Sequence, residues 1–392
     1  MARLRLEADG TLRLPPEILR SYGVEPGTEG VLEQTEDGWA FHAIRPDLRR
    51  VYVEVTALCN LNCAICIRRV WRDRPGSMRW EVFEELIRQL RAFPELRRIT
   101  FGGFGEPLVH PRIADMVALA RTLGVGITLT TNGLLLDRAM AEALSEAGLD
   151  TVVVSIDTAH LQAYRQAGLV DGLDRVIDNI RGLQALARAH RRLVPRIGLE
   201  FVLTRDSLPE LPHVPHLAQA LGASFVLITH LLPHTPDQAQ AILYDRGEPL
   251  PALPGWPVPG GDWLVWGLAR MPRSRWGAMR RCRFIEERST VIRWDGGVSP
   301  CYALMHSYPY YIYGRRKEVT AYILGFIQQQ PLIEIWGSEE YVRFRAKVRA
   351  FRFPSCVDCG MACYYAAHNE DCWGNTPSCA DCLWAQDIIR CP

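Results

Sequence analysis

The sequence predicts an α/β protein: a partial (β/α)6 barrel with a small β-rich module before it and a cysteine-rich domain after it. Three observations predict this. Between about residues 50 and 230, short apolar stretches alternate with longer amphipathic ones, the rhythm of parallel strands joined by crossover helices. Cys59, Cys63 and Cys66 crowd the end of the first of those strands. The remaining nine of the 12 cysteines all lie beyond residue 281.

A chain of 392 residues is expected to hold two or three domains, and 48% hydrophobic residues are enough to build their cores. A net charge of +1 provides no global field of the kind that attracts nucleic acid, so nucleic acid is not an expected partner. Its cations are nearly all arginine, with Lys317 and Lys347 the two lysines. The N-terminal Met1-Ala2-Arg3-Leu4-Arg5-Leu6-Glu7 lacks the apolar core of a signal peptide. No apolar run reaches about 18 residues, so no membrane span is expected. A cytoplasmic, reducing setting is therefore expected, in which the cysteines read as metal ligands and not as disulfides.

Residues 1–46 read as a separate module. Residues 3–6 alternate in strand fashion, Asp9-Gly10 turns the chain, and residues 11–14 return. Pro15 and Pro16 open a short helix, since proline is tolerated in a first turn. Pro26-Gly27 then leads into strands near 30–33 and 39–42. This order is similar to one half of the AbrB/SpoVT swapped-hairpin fold, which implies a docking or dimerising role. The segment has no basic excess that would support DNA binding.

The barrel units follow in order. The first strand, 51–55, alternates apolar and polar residues. A helix over 80–92 places Val82, Phe83, Leu86, Ile87 and Leu90 on one face. Strands are then expected at 98–101, 126–131, 151–155, 196–204 and 224–229, with helices near 113–123, 137–147, 173–189 and 211–221 between them.

Polar residues gather at the C-terminal strand ends, the rim where barrels place their sites. The first strand runs into Cys59-Asn60-Leu61-Asn62-Cys63-Ala64-Ile65-Cys66, a C-x3-C-x2-C spacing. Three thiolates on one loop can hold three irons of a [4Fe–4S] cluster and leave the fourth open to an outside ligand. Zinc is the alternative, although it favours paired C-x2-C knuckles or mixed Cys and His sets. The triad resembles the signature of the radical S-adenosylmethionine (radical SAM) family. The resemblance implies a partial barrel, with SAM bound to the open iron and cleaved by the reduced cluster to methionine and a 5′-deoxyadenosyl radical. It also implies a low-potential electron donor.

The second strand ends in Gly102-Gly103-Phe104-Gly105-Glu106-Pro107, where glycines permit close backbone approach to a ligand. This resembles the family's segment for the amino group of SAM, which makes Gly103, Gly105, Glu106 and Pro107 candidate contacts. Asn132 follows the third strand, and Ser155 and Asp157 end the fourth, where the family contacts the ribose or the carboxylate. Ser155 and Asp157 also fit a plain helix cap. Glu200, inside the apolar fifth strand, fits either a SAM hydroxyl or a structural ion pair, because a charge there needs a partner. His230 and His234 follow the sixth strand as candidate substrate contacts.

Seven prolines between 233 and 259 mark residues 236–280 as a connector. Its tryptophans (256, 263, 266 and 276) and arginines (270, 273, 275, 280 and 281) suit either an anionic aromatic ligand or a packed linker. Beyond residue 281, Cys282 and Cys301 bracket a hairpin turn at Asp295-Gly296-Gly297. Then come Cys356, Cys359, Cys363, Cys372, Cys379, Cys382 and Cys391, with a charged helix expected near 339–349. This series resembles the SPASM extension of radical SAM enzymes, which implies one or two auxiliary [4Fe–4S] clusters. Two Cys₄ clusters need eight thiolates, so with nine present at least one is spare or one cluster is ligated unusually. Zinc knuckles remain the alternative there.

The segments 66–71, 101–107 and 372–386 together resemble one radical SAM subgroup, the tungsten-cofactor oxidoreductase maturases or aldehyde ferredoxin oxidoreductase cofactor-modifying proteins. That implies maturation of a tungsten-containing oxidoreductase or its pterin cofactor. A SPASM enzyme that modifies a peptide or protein is the second reading. A non-enzymatic iron–sulfur carrier or scaffold is the third, although it has no need of the SAM-binding segments.

Overall fold

A computed structural model describes residues 8–391 except 10, 12–14, 23–24, 26, 36–37, 157–171, 191–194, 245–268, 271, 273–274, 276, 313, 357–358 and 360–367. Helix α1 (Pro16–Tyr22) precedes an antiparallel hairpin of β1 (Gly30–Thr35) and β2 (Gly38–Ala43). The expected pair at 3–6 and 11–14 lies outside the described residues, and the described part by itself does not establish an AbrB-like module.

Six parallel strands form the middle of one sheet, in sequence order: β3 (Arg50–Val53), β4 (Arg98–Phe101), β5 (Gly126–Thr131), β6 (Thr151–Ser155), β7 (Arg196–Leu203) and β8 (Phe225–His230). The helices between them are α2 (Trp80–Leu90), α3 (Ile113–Arg121), α4 (Arg138–Glu146), α5 (Gly172–His190) and α6 (Val214–Ala220), and a short α7 (Pro236–Gln240) follows β8. The five apolar residues expected on one face of α2 are all buried. Burying each such side chain is worth about 1.5–3 kcal/mol. Asp137 starts α4 by accepting from Met140 N at 2.9 Å, which meets one of the helix's orphan donors. Alternation along the strands places Val51, Val53, Ile99, Phe101, Val152 and Val154 in the core shared with these helices. The opposite face carries Arg50, Tyr52, Arg98, Thr128, Thr151 and Val153.

The sheet is longer than the six expected strands. At one edge β9 (Ala269–Arg270), from within the proline-rich connector, pairs in parallel with β8. After α8 (Arg283–Glu286), β10 (Ser289–Ile292) adds in parallel beside β3, and β11 (Val298–Ser299) closes the hairpin that turns at Gly296. The cysteine-rich part is thus hydrogen-bonded to the barrel's first strand. A second hairpin, β12 (Tyr308–Ile312) with β13 (Arg315–Val319), leads to α9 (Leu332–Gly337) and α10 (Glu339–Arg349). Trp336 of α9 is buried and donates from Nε1 to Arg45 O at 3.0 Å and to Asp47 at 3.1 Å, which ties the entry of the barrel to this helix pair. The connector tryptophans 256, 263, 266 and 276, with Arg273, lie outside the described residues. Among the described residues no helix is long and apolar enough to cross a membrane.

Candidate functional site

The cysteine loop 59–66 leaves β3 and is held from several sides. Arg68 donates to Leu61 O at 2.6 Å, Gln238 of α7 to Ala64 O at 2.7 Å, and Glu106 N to Leu58 O at 2.8 Å. Leu61 N and Asn132 Nδ2 both point at Cys59 Sγ, at 3.3 and 3.8 Å. Burial pushes the Cys59 thiol up. A thiolate at this position needs a positive centre beside it, which a bound metal supplies.

Cys59, Cys63 and Cys66 line a cavity of about 300 Å³. Of the residues expected to hold SAM, Gly103, Gly105, Glu106, Asn132, Ser155 and Glu200 line the same cavity. Pro107 is buried one residue behind, at the start of a 3-10 turn, and Asp157 lies outside the described residues. Glycine is required at 105, because a Cβ there would sit 2.0 Å from Thr56 O, and Gly103 takes a φ of 122°. The buried Glu106 carboxylate accepts from Leu108 N, Thr131 Oγ1 and Asn132 N at 3.0, 2.8 and 2.7 Å. Glu106 therefore braces the glycine loop to the end of β5. Ser155 Oγ donates to Glu200 Oε2 at 3.1 Å across the β6–β7 register.

Arg68, Trp384 and Cys391, from segments the sequence had already marked, also line the cavity, together with Thr130, Tyr302 and Arg390, which no motif announces. The C-terminal strap enters here, with Arg390 N donating to Thr229 Oγ1 at 2.9 Å and Ile388 O accepting from His230 N at 3.2 Å. His230 and His234 also line the cavity. Burial, and for His230 the nearby Arg390 charge, push His230 down to about 4, and burial pushes His234 down to about 4, so both are neutral imidazoles at pH 7. Among the described residues neither ring nitrogen of His230 has a hydrogen-bond partner.

Beneath the glycine loop lies a triad that sequence reasoning missed. His306 Nε2 meets the Glu54 carboxylate at 3.0 Å and His306 Nδ1 meets Asp73 Oδ2 at 2.7 Å, with Glu54 and His306 fully buried. Burial alone would lower the His306 pKa, but the hydrogen bonds to Asp73 and Glu54 outweigh it and the pKa is raised. Trp71 packs on the ring at 4.2 Å between centroids.

Four of the C-terminal thiols converge. Cys282 comes from the start of α8, Cys301 from the end of the β10–β11 hairpin, and Cys379 and Cys382 from the tail. All four are buried deeply enough to push their thiols up, Cys282 to about 12, and the nearness of Cys282 and Cys382 adds to the rise at Cys301 and Cys379. A small void is lined by Cys301, Cys379 and Cys382. Three soft sulfurs around a void, with that of Cys282 near enough to act on Cys301 and Cys379, suit an iron–sulfur cluster. Among the described residues no three His, Cys, Asp or Glu side chains stand close enough to hold a single metal ion. Cys356, Cys359 and Cys372 lie on the segment before the tail, and Cys363 falls outside the described residues. Cys391 takes a hydrogen bond from Trp384 Nε1 at 3.1 Å and sits on the wall of the cavity that Cys59, Cys63 and Cys66 line.

The chain matches the radical SAM superfamily over residues 53–192 and an iron–sulfur cluster-binding domain, SPASM, over 282–360. It is 35% identical to the tungsten-containing aldehyde ferredoxin oxidoreductase cofactor-modifying protein of Pyrococcus furiosus, over 88% of this chain and 97% of that one. It is 32% identical to the PqqA peptide cyclase of Gluconobacter oxydans, over 45% and 48% of the two chains. Among solved structures, Streptococcus suis SuiB bound to S-adenosylmethionine is similar at a TM-score of 0.55 and 15% identity, over 81% of this chain and 72% of that one. The AdoMet-bound anSMEcpe is similar at 0.52 and 17%, over 76% and 83%.

Proposed function

Because this chain belongs to the radical SAM superfamily, in the family of the tungsten-containing aldehyde ferredoxin oxidoreductase cofactor-modifying protein, we propose that it cleaves SAM reductively to mature a tungstopterin oxidoreductase or its cofactor. The observation that carries this reading is the single cavity on which the three loop thiols, the glycine segment and the Ser155–Glu200 pair converge. When bound there, a reduced [4Fe–4S] cluster supplies the electron that breaks a carbon–sulfur bond of SAM.

The chain's own residues bind and orient. Cys59, Cys63 and Cys66 hold the cluster, with Leu61 N and Asn132 Nδ2 aimed at Cys59 sulfur to tune it. Gly103 and Gly105 let the backbone meet the methionine end of SAM, with Glu106 fixing their loop. Ser155 and Glu200 face the ribose side. Arg390 and the neutral His230 stand on the opposite wall, toward the substrate. Cys282, Cys301, Cys379 and Cys382 hold one auxiliary cluster, and a second would draw on the remaining C-terminal thiols. Cys391 stands on the cavity wall. The setting is the cytoplasm, and a low-potential protein is the electron donor.

The test is co-expression with a tungsten oxidoreductase. Cys63→Ala should abolish 5′-deoxyadenosine formation while auxiliary iron is retained, and the partner should stay inactive. An active partner beside the variant sinks the maturation role. A partner that needs no help, together with modification of a peptide, supports the peptide-modifying reading instead.

A further inference from the structure

The same strands that carry the SAM cavity at their C-terminal ends enclose a second cavity, of about 400 Å³, at their N-terminal ends. Trp384, Ile389, Arg390 and Cys391 line both, so the C-terminal strap is the partition between them. The lower cavity has an unusual charge balance. Arg50, Arg98, Arg196, Arg283 and Arg390 line it, against the carboxylates of Glu287 and Asp387. Arg50 pairs with Glu287 at 2.6 Å and Arg390 with Asp387 at 2.8 Å. The guanidinium groups of Arg98, Arg196 and Arg283 make no hydrogen bond or ion pair among the described residues, although Tyr52 and Glu287 act electrostatically on Arg98 from a distance.

The backbone forces these charges together. Arg50 and Arg98 are direct partners in the parallel β3–β4 register, and Arg196 opens β7. Like charges set opposite each other on one sheet face destabilise it. Burial, with the charges of Arg50 and Arg196, lowers the Arg98 pKa. Such an arrangement is unfavourable alone and becomes favourable once an anion enters. Guanidinium groups match the planar, bidentate demands of phosphate oxygens. Thr128 and Thr151 add hydroxyls, and the rings of Tyr52, Phe225, Phe284 and Trp384 line the cavity as well, with Tyr52 and Phe284 in contact at 5.2 Å between centroids.

We propose that this lower cavity binds a phosphate group, through Arg98 and Arg196 with Arg283. The phosphate is either a free anion or the end of an organic phosphomonoester whose body rests against the aromatic side chains of the lining. The proposal does not depend on the tungsten-maturation reading, since it concerns the opposite end of the barrel and its test reads binding.

The experiment is calorimetric titration and thermal melting of the reconstituted full chain with inorganic phosphate and with phenyl phosphate, against chloride at matched ionic strength. Both phosphates are expected to bind and to raise the melting temperature beyond chloride, as any ligand of the native state does. Arg98→Gln should weaken both at least tenfold and should raise the melting temperature in the absence of anion, because it removes the like-charge contact. The exposed Arg196→Gln, which leaves the packing untouched, should weaken both as well. Phenyl phosphate binding tenfold tighter than phosphate identifies an organic phosphomonoester as the ligand class, and equal or weaker binding identifies a free anion. A melting shift no larger than that of chloride, or the same affinity in wild type and both variants, overturns the site.

Discussion

His306 is a residue whose role could be read only after folding. Nothing in its surroundings in the sequence distinguishes it, and its partners Glu54 and Asp73 lie 252 and 233 positions away. Folding encloses the imidazole between two carboxylates, which holds its proton more tightly than the unfolded chain does. The sign of the pH dependence follows. A histidine whose pKa is raised by folding contributes its full stability below the ordinary histidine pKa, and the contribution fades as pH rises through the raised value. His306→Gln leaves the buried Glu54 with the Phe104 N–H at 3.4 Å but without its charged partner, and should cost about 3 kcal/mol near pH 6. The cost should be smaller near pH 9, read as the shift in urea midpoint at each pH. An equal loss at both pH values would show that the imidazole is neutral in the folded protein. The motif residues behaved differently. The sequence marks Glu106 only as part of a glycine-rich segment, and the structure shows three donors on its carboxylate, which makes it a brace for the loop.

At the scale of elements, strands and helices with strong local periods were legible. β5 and β6 fall where the alternation places them, and α2 buries the face its apolar spacing defines. What had no local period was missed. β9 is two residues long inside a proline-rich stretch, and β10 joins the barrel by pairing with a strand more than two hundred residues earlier. Gln89 of α2 shows how such a join is secured. Its buried amide donates to Ile327 O at 2.8 Å and accepts from Leu332 N at 2.6 Å, linking the barrel helix to the start of α9. Gln89→Ala leaves a buried carbonyl and a buried N–H unpaired, which should cost about 2–4 kcal/mol at about 1–3 for each group. Gln89→Glu places a carboxylate against a carbonyl and should be at least as harmful. An unchanged unfolding midpoint in Gln89→Ala would mean that water replaces the amide and that the link contributes nothing.

Across the whole molecule, the cysteine-rich part is continuous with the barrel. β10 extends the barrel's sheet, the strap 384–391 walls its cavity, and Cys282, Cys301, Cys379 and Cys382 meet although the chain separates them by as much as 100 positions. Cysteine spacing alone could not assign these thiols to clusters, because the pairing is set by how α8, the β10–β11 hairpin and the tail pack. The packing makes the assignment testable. If the four hold one cluster, Cys282→Ala and Cys382→Ala should each lower reconstituted iron from about twelve to about eight per chain, given Cys₄ ligation of each auxiliary cluster. The double variant should also hold about eight, since both substitutions strike the same cubane. Two separate clusters would instead leave about four in the double variant. Because Cys382 lies on the tail that also lines the SAM cavity and Cys282 does not, the Cys282 variant separates loss of a cluster from disturbance of the strap. A product radical must lose or gain an electron to become a closed-shell product, and a buried cluster beside the cavity is a physical route for it. Cys282→Ala should therefore still form 5′-deoxyadenosine while activation of a co-expressed tungsten oxidoreductase falls at least tenfold. Full activation would show that no electron needs to pass through this cluster.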